Sequence, residues 1–288
     1  MSFALGCRIN ENNLGGIWVR ITNMIRVIFF LLFVAATPWV YGQTAPPAQN
    51  PPENEWRFSV IPFMWATTID SKVTVGGYDV DTTTSFSDIW HNLNGALMLH
   101  MEAQKGKFGL FFEPMYSKIK ADGTFIRQRV ANLPAIPRDL TLTYEQWIIE
   151  GGAFYQAGKW RVGENKDQWM TLDVFAGARY WSIKADLDTS TLINPDRSDS
   201  WVDPIIGARF TADLSKNVMI NFRGDIGGFG VGSDFTWNGL AVIGYRFNEY
   251  ITGLMGYRAL YVDYKSGTSR VRFEETLHGP IMGVAFTF

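Results

Sequence analysis

The sequence predicts an antiparallel transmembrane β-barrel of about ten strands, with eight and twelve as the neighbouring even counts. Three observations carry that expectation. From Trp56 onward, apolar and polar residues alternate in stretch after stretch, which is the pattern of strands whose two faces meet different surroundings. The final stretch ends on Phe288 with Phe286, Val284, Met282 and Pro280 on the same face, an arrangement suited to a closing strand whose outer face lies in lipid. Aromatic residues make up 15% of the 288 residues, with 11 Trp, 11 Tyr and 21 Phe, as two interfacial girdles require.

The N-terminus reads as export machinery. Val27–Ala36 is the one long apolar run, too short for the roughly 20 residues of a spanning helix. Arg26 precedes it, and Val40-Tyr41-Gly42 supplies small and neutral residues at the peptidase positions. Residues 1–42 are therefore an N-terminal extension and signal peptide, cut after Gly42, with Met24 the more natural start. Residues 43–55, with Pro46, Pro47, Pro51 and Pro52, form a Pro-rich periplasmic lead-in, and residues 56–288 form the barrel. Cys7, the single cysteine, falls in the removed segment, so the mature chain has no thiol chemistry. A net charge of −2 gives no reason to expect nucleic acid as a partner.

Ten alternating stretches follow in order. They are Trp56–Thr68, Gly95–Gln104, Lys107–Ile119, Leu140–Gln156, Trp169–Lys184, Ser200–Leu214, Asn217–Gly228, Phe235–Phe247, Tyr250–Asp263 and Arg270–Phe288. Tight turns at 105–107, 215–217 and 247–249 alternate with longer connections at 120–139, 185–199 and 264–269, and 157–168 is a longer turn on the tight side. Short periplasmic turns and long outer loops wire such barrels, so both termini lie inside. The phase of each stretch assigns faces. Ala176, Phe210, Ile220 and Ile243 should meet lipid, and Arg179, Arg209, Arg223 and Arg246 the lumen.

One segment breaks the period of two. Ser85 is a plausible N-cap for a short helix carrying Phe86, Ile89, Trp90 and Leu93 at helical spacing. It either caps the rim or folds into the lumen as a plug. Before it, 73–80 reads as a hairpin with a glycine turn, and 69–84 either extends the first two strands or stands alone.

The inward phase collects Glu102, Glu113, Glu150, Asp173, Arg179, Asp203, Arg209, Arg223, Asp225 and Arg246. In a narrow barrel they pair across strands and hold it shut, because an unpaired buried charge costs several kcal/mol. The alternative is a charged constriction that sorts small solutes. His100 shares the phase of Glu102, which is more often a structural hydrogen bond than a proton relay. Asp186 and Asp188 have no matching aspartate–histidine motif in the other outer loops, so no catalytic site is expected. Asp122, Asp186, Asp188, Asp196 and Asp199 read as solvated loop acids, and no metal or cofactor motif is present.

Several segments also resemble an uncharacterised family of bacterial outer-membrane β-barrel proteins. They are Ser85-Phe86, Asp88, Leu93, Ala96, Met98, Glu102, Lys105-Gly106, Gly109-Leu110 and Tyr116, then 176–181, 201–204 and 223–234. The terminal strand, with Phe288, Phe286, Val284 and Met282, resembles the assembly signal of such proteins. These resemblances imply the fold, an outer-membrane location, and lipid and the barrel-assembly machinery as partners. They imply no activity. The function expected is structural or binding, through outer loops on a filled or very narrow lumen. A narrow passive channel for small solutes is the alternative, and an outer-membrane hydrolase a lesser one.

Overall fold

A computed structural model describes residues 55–75, 78–127, 136–163, 168–189, 196–265 and 271–288. The expected signal peptide lies outside the described residues, as does the Pro-rich lead-in except Glu55. The strands are β1 (Trp56–Trp65), β2 (Thr68–Val75), β3 (Tyr78–Thr84), β4 (Leu93–Lys105), β5 (Phe108–Arg127), β6 (Ile136–Val162), β7 (Gln168–Thr189), β8 (Asp196–Asp213), β9 (Val218–Gly227), β10 (Phe235–Arg246), β11 (Ile251–Lys265) and β12 (Val271–Thr287), with one helix, α1 (Phe86–Asn92). One compact unit holds residues 50–121, 142–188 and 193–288. Residues 122–141 and 189–192 group with 1–49 in a second, whose described part is only the ends of β5, β6 and β7.

Ten strands close the barrel in the order β1-β4-β5-β6-β7-β8-β9-β10-β11-β12, with β12 returning to pair with β1. The expected count of ten therefore holds for the wall. The remaining two strands form a hairpin, β2–β3, laid on the outer half of β12, so 69–84 extends the wall rather than standing apart. β1 pairs with the periplasmic half of β12 and β2 with the outer half, the chain breaking stride at Ala66–Thr67. Gly279 makes that break possible. Its φ is +158°, and a Cβ there would come within 2.0 Å of the Ala66 carbonyl oxygen.

Several strands outrun their sequence limits. β5 reaches Arg127, β6 begins at Ile136, and β7 and β8 reach Thr189 and back to Asp196. Beyond the lipid both faces of a strand are wet, so the apolar/polar alternation fades although the ladder continues. The longer turn at 157–168 shortens for the same reason, to residues 163–167.

The two faces are chemically opposite. Val174, Val202, Ile206, Phe222, Ile226, Ile243, Met255 and Met282 project outward and exposed, while Asp173, Arg179, Arg223 and Asp225 are buried inside. Trp56, Phe58, Phe108, Tyr155, Tyr245, Phe247, Tyr250 and Phe288 form an exposed aromatic rim at the end with the tight turns. At the other edge stand Tyr180, Trp237 and Tyr257, with Tyr116 packed on Trp147 at 4.6 Å. On β12 the exterior is apolar from Phe288 to Pro280. His278 then hydrogen-bonds Tyr257 (2.7 Å) and Asp70 (3.1 Å), which marks the outer interface. That is the roughly ten-residue length a tilted spanning strand needs.

Helix α1 forms as its residues require. Ser85 Oγ accepts from the Asp88 N–H, the Phe86 and Trp90 rings lie 5.6 Å apart one turn on, and Ile89 is buried. The helix leads from the end of β3 to the start of β4 and packs against β2. No described helix is long and apolar enough to cross a membrane.

Candidate functional site

The interior of the barrel is stratified. A charged layer occupies the level of Glu113, Glu150 and Arg179, and an apolar compartment fills the outer half above it.

The charged layer is one connected chain of ion pairs running across the lumen. Arg209 Nε donates to Asp173 (3.0 Å) and its Nη1 to Glu102. Glu102 and Glu113 then flank His100, at 2.9 Å from Nε2 and 2.6 Å from Nδ1. Arg258 bridges Glu113 (2.6 Å) to Glu150 (3.1 Å), and Arg179 bridges Glu150 (2.9 Å) to Asp225 (2.7 Å). Arg223 Nη2 takes the remaining Glu150 oxygen at 2.8 Å. These residues come from β4, β5, β6, β7, β8, β9 and β11, so the layer ties together opposite walls. Glu150 and Arg179 are 0% exposed. Guanidinium groups that face the centre also rest on rings: Arg223 on Phe111 (4.9 Å) and Phe175 (4.8 Å), Arg209 on Phe154 (4.7 Å). A void among Glu102, Phe154, Arg209 and Arg223 measures about 10 Å³, room for one water at most.

Eight of the ten predicted inward charges meet in this layer: Glu102, Glu113, Glu150, Asp173, Arg179, Arg209, Arg223 and Asp225. Two do not. Arg246 sits at the periplasmic mouth, partly exposed, and pairs with Asp213 at 2.5 Å. Asp203 is fully buried but meets neutral donors, the Ser233 N–H (2.6 Å), the Ser233 hydroxyl (2.8 Å) and the Trp201 indole (3.3 Å). It anchors the glycine-rich 228–234 loop, where Gly228, Phe229 and Gly230 take positive φ.

Two participants are absent from the expected set. Arg258 lies among Leu260, Val262 and Tyr257, so its strand reads as apolar, yet its phase opposite Met255 and Tyr257 identifies it as inward. The apolar compartment itself is the second. Trp65, Met115, Ile148, Trp181, Leu260 and Leu277 pack inside the barrel, where a polar lumen is the ordinary expectation. Within it Glu275, almost fully buried, has no cation beside it among the described residues. It accepts from Gln146 (3.0 Å) and Tyr144 (3.4 Å), and burial pushes its carboxyl up from the ordinary 4.5 to about 7 against the pull of those hydrogen bonds. It lies on β12 beyond the His278 interface, outside the lipid band.

The helix residues stand apart from the charged layer. Ile89 is buried, Phe86, Trp90 and Leu93 are half-buried, and α1 meets the barrel at β2. Among the described residues no cluster of His, Cys, Asp and Glu has the makings of a metal site. The side chains of Asp122, Asp188 and Asp196 lie outside the described residues.

An antiparallel barrel closed by β12 returning to β1 satisfies its ladder groups internally, save in the interval above Pro62 and Leu99. With an apolar exterior between two aromatic rims and a charged interior, it defines an integral β-barrel protein of the bacterial outer membrane. No model of a known protein family matches the chain, and no curated protein does. Among solved structures it is similar to Ail, the attachment invasion locus protein of Yersinia pestis, at 10% identity and a TM-score of 0.36 over 82% of this chain and 99% of that one. The translocator domain of the autotransporter NalP from Neisseria meningitidis gives 10% identity and a TM-score of 0.37 over 81% and 88%. Neisserial surface protein A gives 13% identity and 0.25 over 80% and 97%. Likenesses of this size say nothing of what the chain binds.

Proposed function

We propose that this protein is a sealed outer-membrane barrel with a structural or binding role and no catalytic one. The observation that supports the reading is the charged layer. Its carboxylates and guanidinium groups pair with one another, Asp173 Oδ1 and Arg223 Nε being the atoms of the layer left without a hydrogen bond among the described residues, and Glu150 with Arg179 is wholly withdrawn from water. A permeating ion would need several groups free to replace its hydration shell, and charges paired across the lumen do not supply them. The wall of ten strands is also far narrower than the 16–18 strands of an open porin. In this reading the terminal strand engages the barrel-assembly machinery through Phe288, Phe286, Val284 and Met282, the exterior engages lipid, and any further partner meets the outer loops. Single-channel recording of the reconstituted protein tests it. Silence up to the voltages at which the bilayer itself breaks is the expected result, and steady conductance would replace the reading with the narrow passive channel.

A further inference from the structure

The wall of the barrel is closed by hydrogen bonds all the way round only in its periplasmic half. β1 and β4 pair from Trp56↔Lys105 up to Pro62↔Leu99 and then part. Proline supplies no N–H to carry the ladder further. Three residues on, the Trp65 N–H that faces β4 is given to the thioether sulfur of Met98 (3.4 Å), a weak acceptor, rather than to a carbonyl. Above that point, among the described residues, β3 pairs only with β2, and Leu93–Met98 of β4 only with β5. The interval has no strand among the described residues, and α1 is the segment that joins its two sides. Leu97 of this stretch pairs with Tyr116 of the outer aromatic rim, so the interval lies at the level of the outer leaflet.

Behind this seam lies the apolar compartment. Two of its residues hold hydrogen-bond donors with no acceptor among the described residues: the indole N–H groups of Trp65, at the seam, and of Trp181, deeper in. Both side chains are more than nine-tenths buried. A buried donor left unpaired costs about 1–3 kcal/mol, so each is a standing demand for an oxygen. The compartment can also yield. Met98 and Met115 are unbranched and repack at little cost.

We propose that the compartment binds small amphipathic molecules, an apolar body carrying one hydrogen-bond-accepting oxygen, which enter sideways from the outer leaflet through the seam between β3 and β4, with α1 as its door. The proposal rests on the sealed-lumen reading for its route, since the charged layer leaves no way in from the periplasmic side. Trp65 and Trp181 supply the donors, and the surrounding aliphatic and aromatic side chains take the apolar body. Ile89, the one buried residue of α1, seats the door where the helix packs against β2.

The test uses the full mature chain refolded into lipid vesicles, with assembly verified by heat-modifiable migration on a gel. The probes are 1-naphthol and naphthalene, which differ by the one oxygen. Saturable 1-naphthol binding above that of protein-free vesicles is expected. Trp65→Phe and Trp181→Phe should each weaken it by roughly three- to tenfold while leaving naphthalene unmoved. Trp181→Phe stands in as the second donor test if Trp65→Phe does not assemble. Ile89→Ala should speed entry and release together, with equilibrium affinity held within about twofold, as a door rather than a contact behaves. Partitioning no greater than that of empty vesicles, or equal loss of both probes in the Trp variants, would overturn the site. Unchanged exchange rates in Ile89→Ala would overturn the route. Conductance of the intact protein would overturn the sealed lumen instead, and the naphthol titration reads independently of it.

Discussion

At the scale of single residues, Glu150 is the pivot of the interior. Its two oxygens serve Arg179, Arg223 and Arg258 at once, and all four side chains are buried. Glu150→Ala leaves Arg179 with Asp225 alone, Arg258 with Glu113 alone, and Arg223 with no carboxylate nearer than 3.7 Å, and removing one partner from such a site costs about 3–5 kcal/mol. Asp213→Ala at the exposed mouth should cost no more than about 1 kcal/mol, because Arg246 returns to solvent. Urea midpoints in detergent micelles measure both, and equal costs would refute the buried chain of pairs. Glu275 sets a pH dependence of definite sign. Its carboxyl titrates near 7 when folded and near 4.5 when not. Between those values the folded state keeps a proton that the unfolded state has lost. Stability thus falls as pH rises through that window, by roughly 3 kcal/mol when complete. Glu275→Gln should flatten the slope between pH 5 and pH 8 and raise the midpoint at pH 8.

At the scale of elements, the closing strand depends on its last residue. Phe288 N–H donates to Phe58 O (2.9 Å), Phe58 N–H to Phe288 O (2.8 Å), and the two rings stack at 6.3 Å. Deleting Phe288 removes both hydrogen bonds from the β1–β12 closure and the aromatic edge with them. Reduced membrane assembly and more periplasmic degradation are the expected result, read by immunoblot of membrane and soluble fractions. The elements were legible to different degrees, and the reasons are physical. β7, β8 and β9 announce themselves because lipid-facing residues such as Val174, Val202 and Phe222 alternate with inward charges such as Asp173, Asp203 and Arg223. The β2–β3 hairpin was legible as a hairpin from its glycines, but its attachment to β12 was not. That attachment depends on Gly279 admitting the Ala66 carbonyl, a contact between residues far apart in sequence. Asp203 looked like another inward charge, and only the fold of the 228–234 loop turns it into an anchor for Ser233.

At the scale of the whole molecule, the alternation that reveals the barrel reports only where lipid is. It fixes which face of a strand points out, and it says little about what fills the inside. Leu260 and Val262 share the inward phase with Arg258, and Trp181 with Arg179, so one phase contains both the charged layer and the apolar compartment. Their separation along the barrel axis emerges from the register, not from the pattern. The exterior, by contrast, makes a quantitative claim about depth. On β10, Ala241 lies midway between Tyr245 of the periplasmic rim and Trp237 of the outer one. Arginine at Ala241 should cost about 2–4 kcal/mol, and arginine at Phe247, at the outermost edge of the rim, no more than about 1, because the side chain there reaches the headgroups. Replacing Asn238, whose amide donates to Asp225 (2.9 Å) and accepts from Arg258 (2.9 Å), with leucine should also be costly, although leucine is apolar. Folding free energies in vesicles would then rank polar at Ala241 and apolar at Asn238 as the damaging changes, the reverse of the order in a water-soluble barrel. A profile in which arginine is tolerated at Ala241 as well as at Phe247 would mean that this face meets water, and the barrel does not cross the membrane along it.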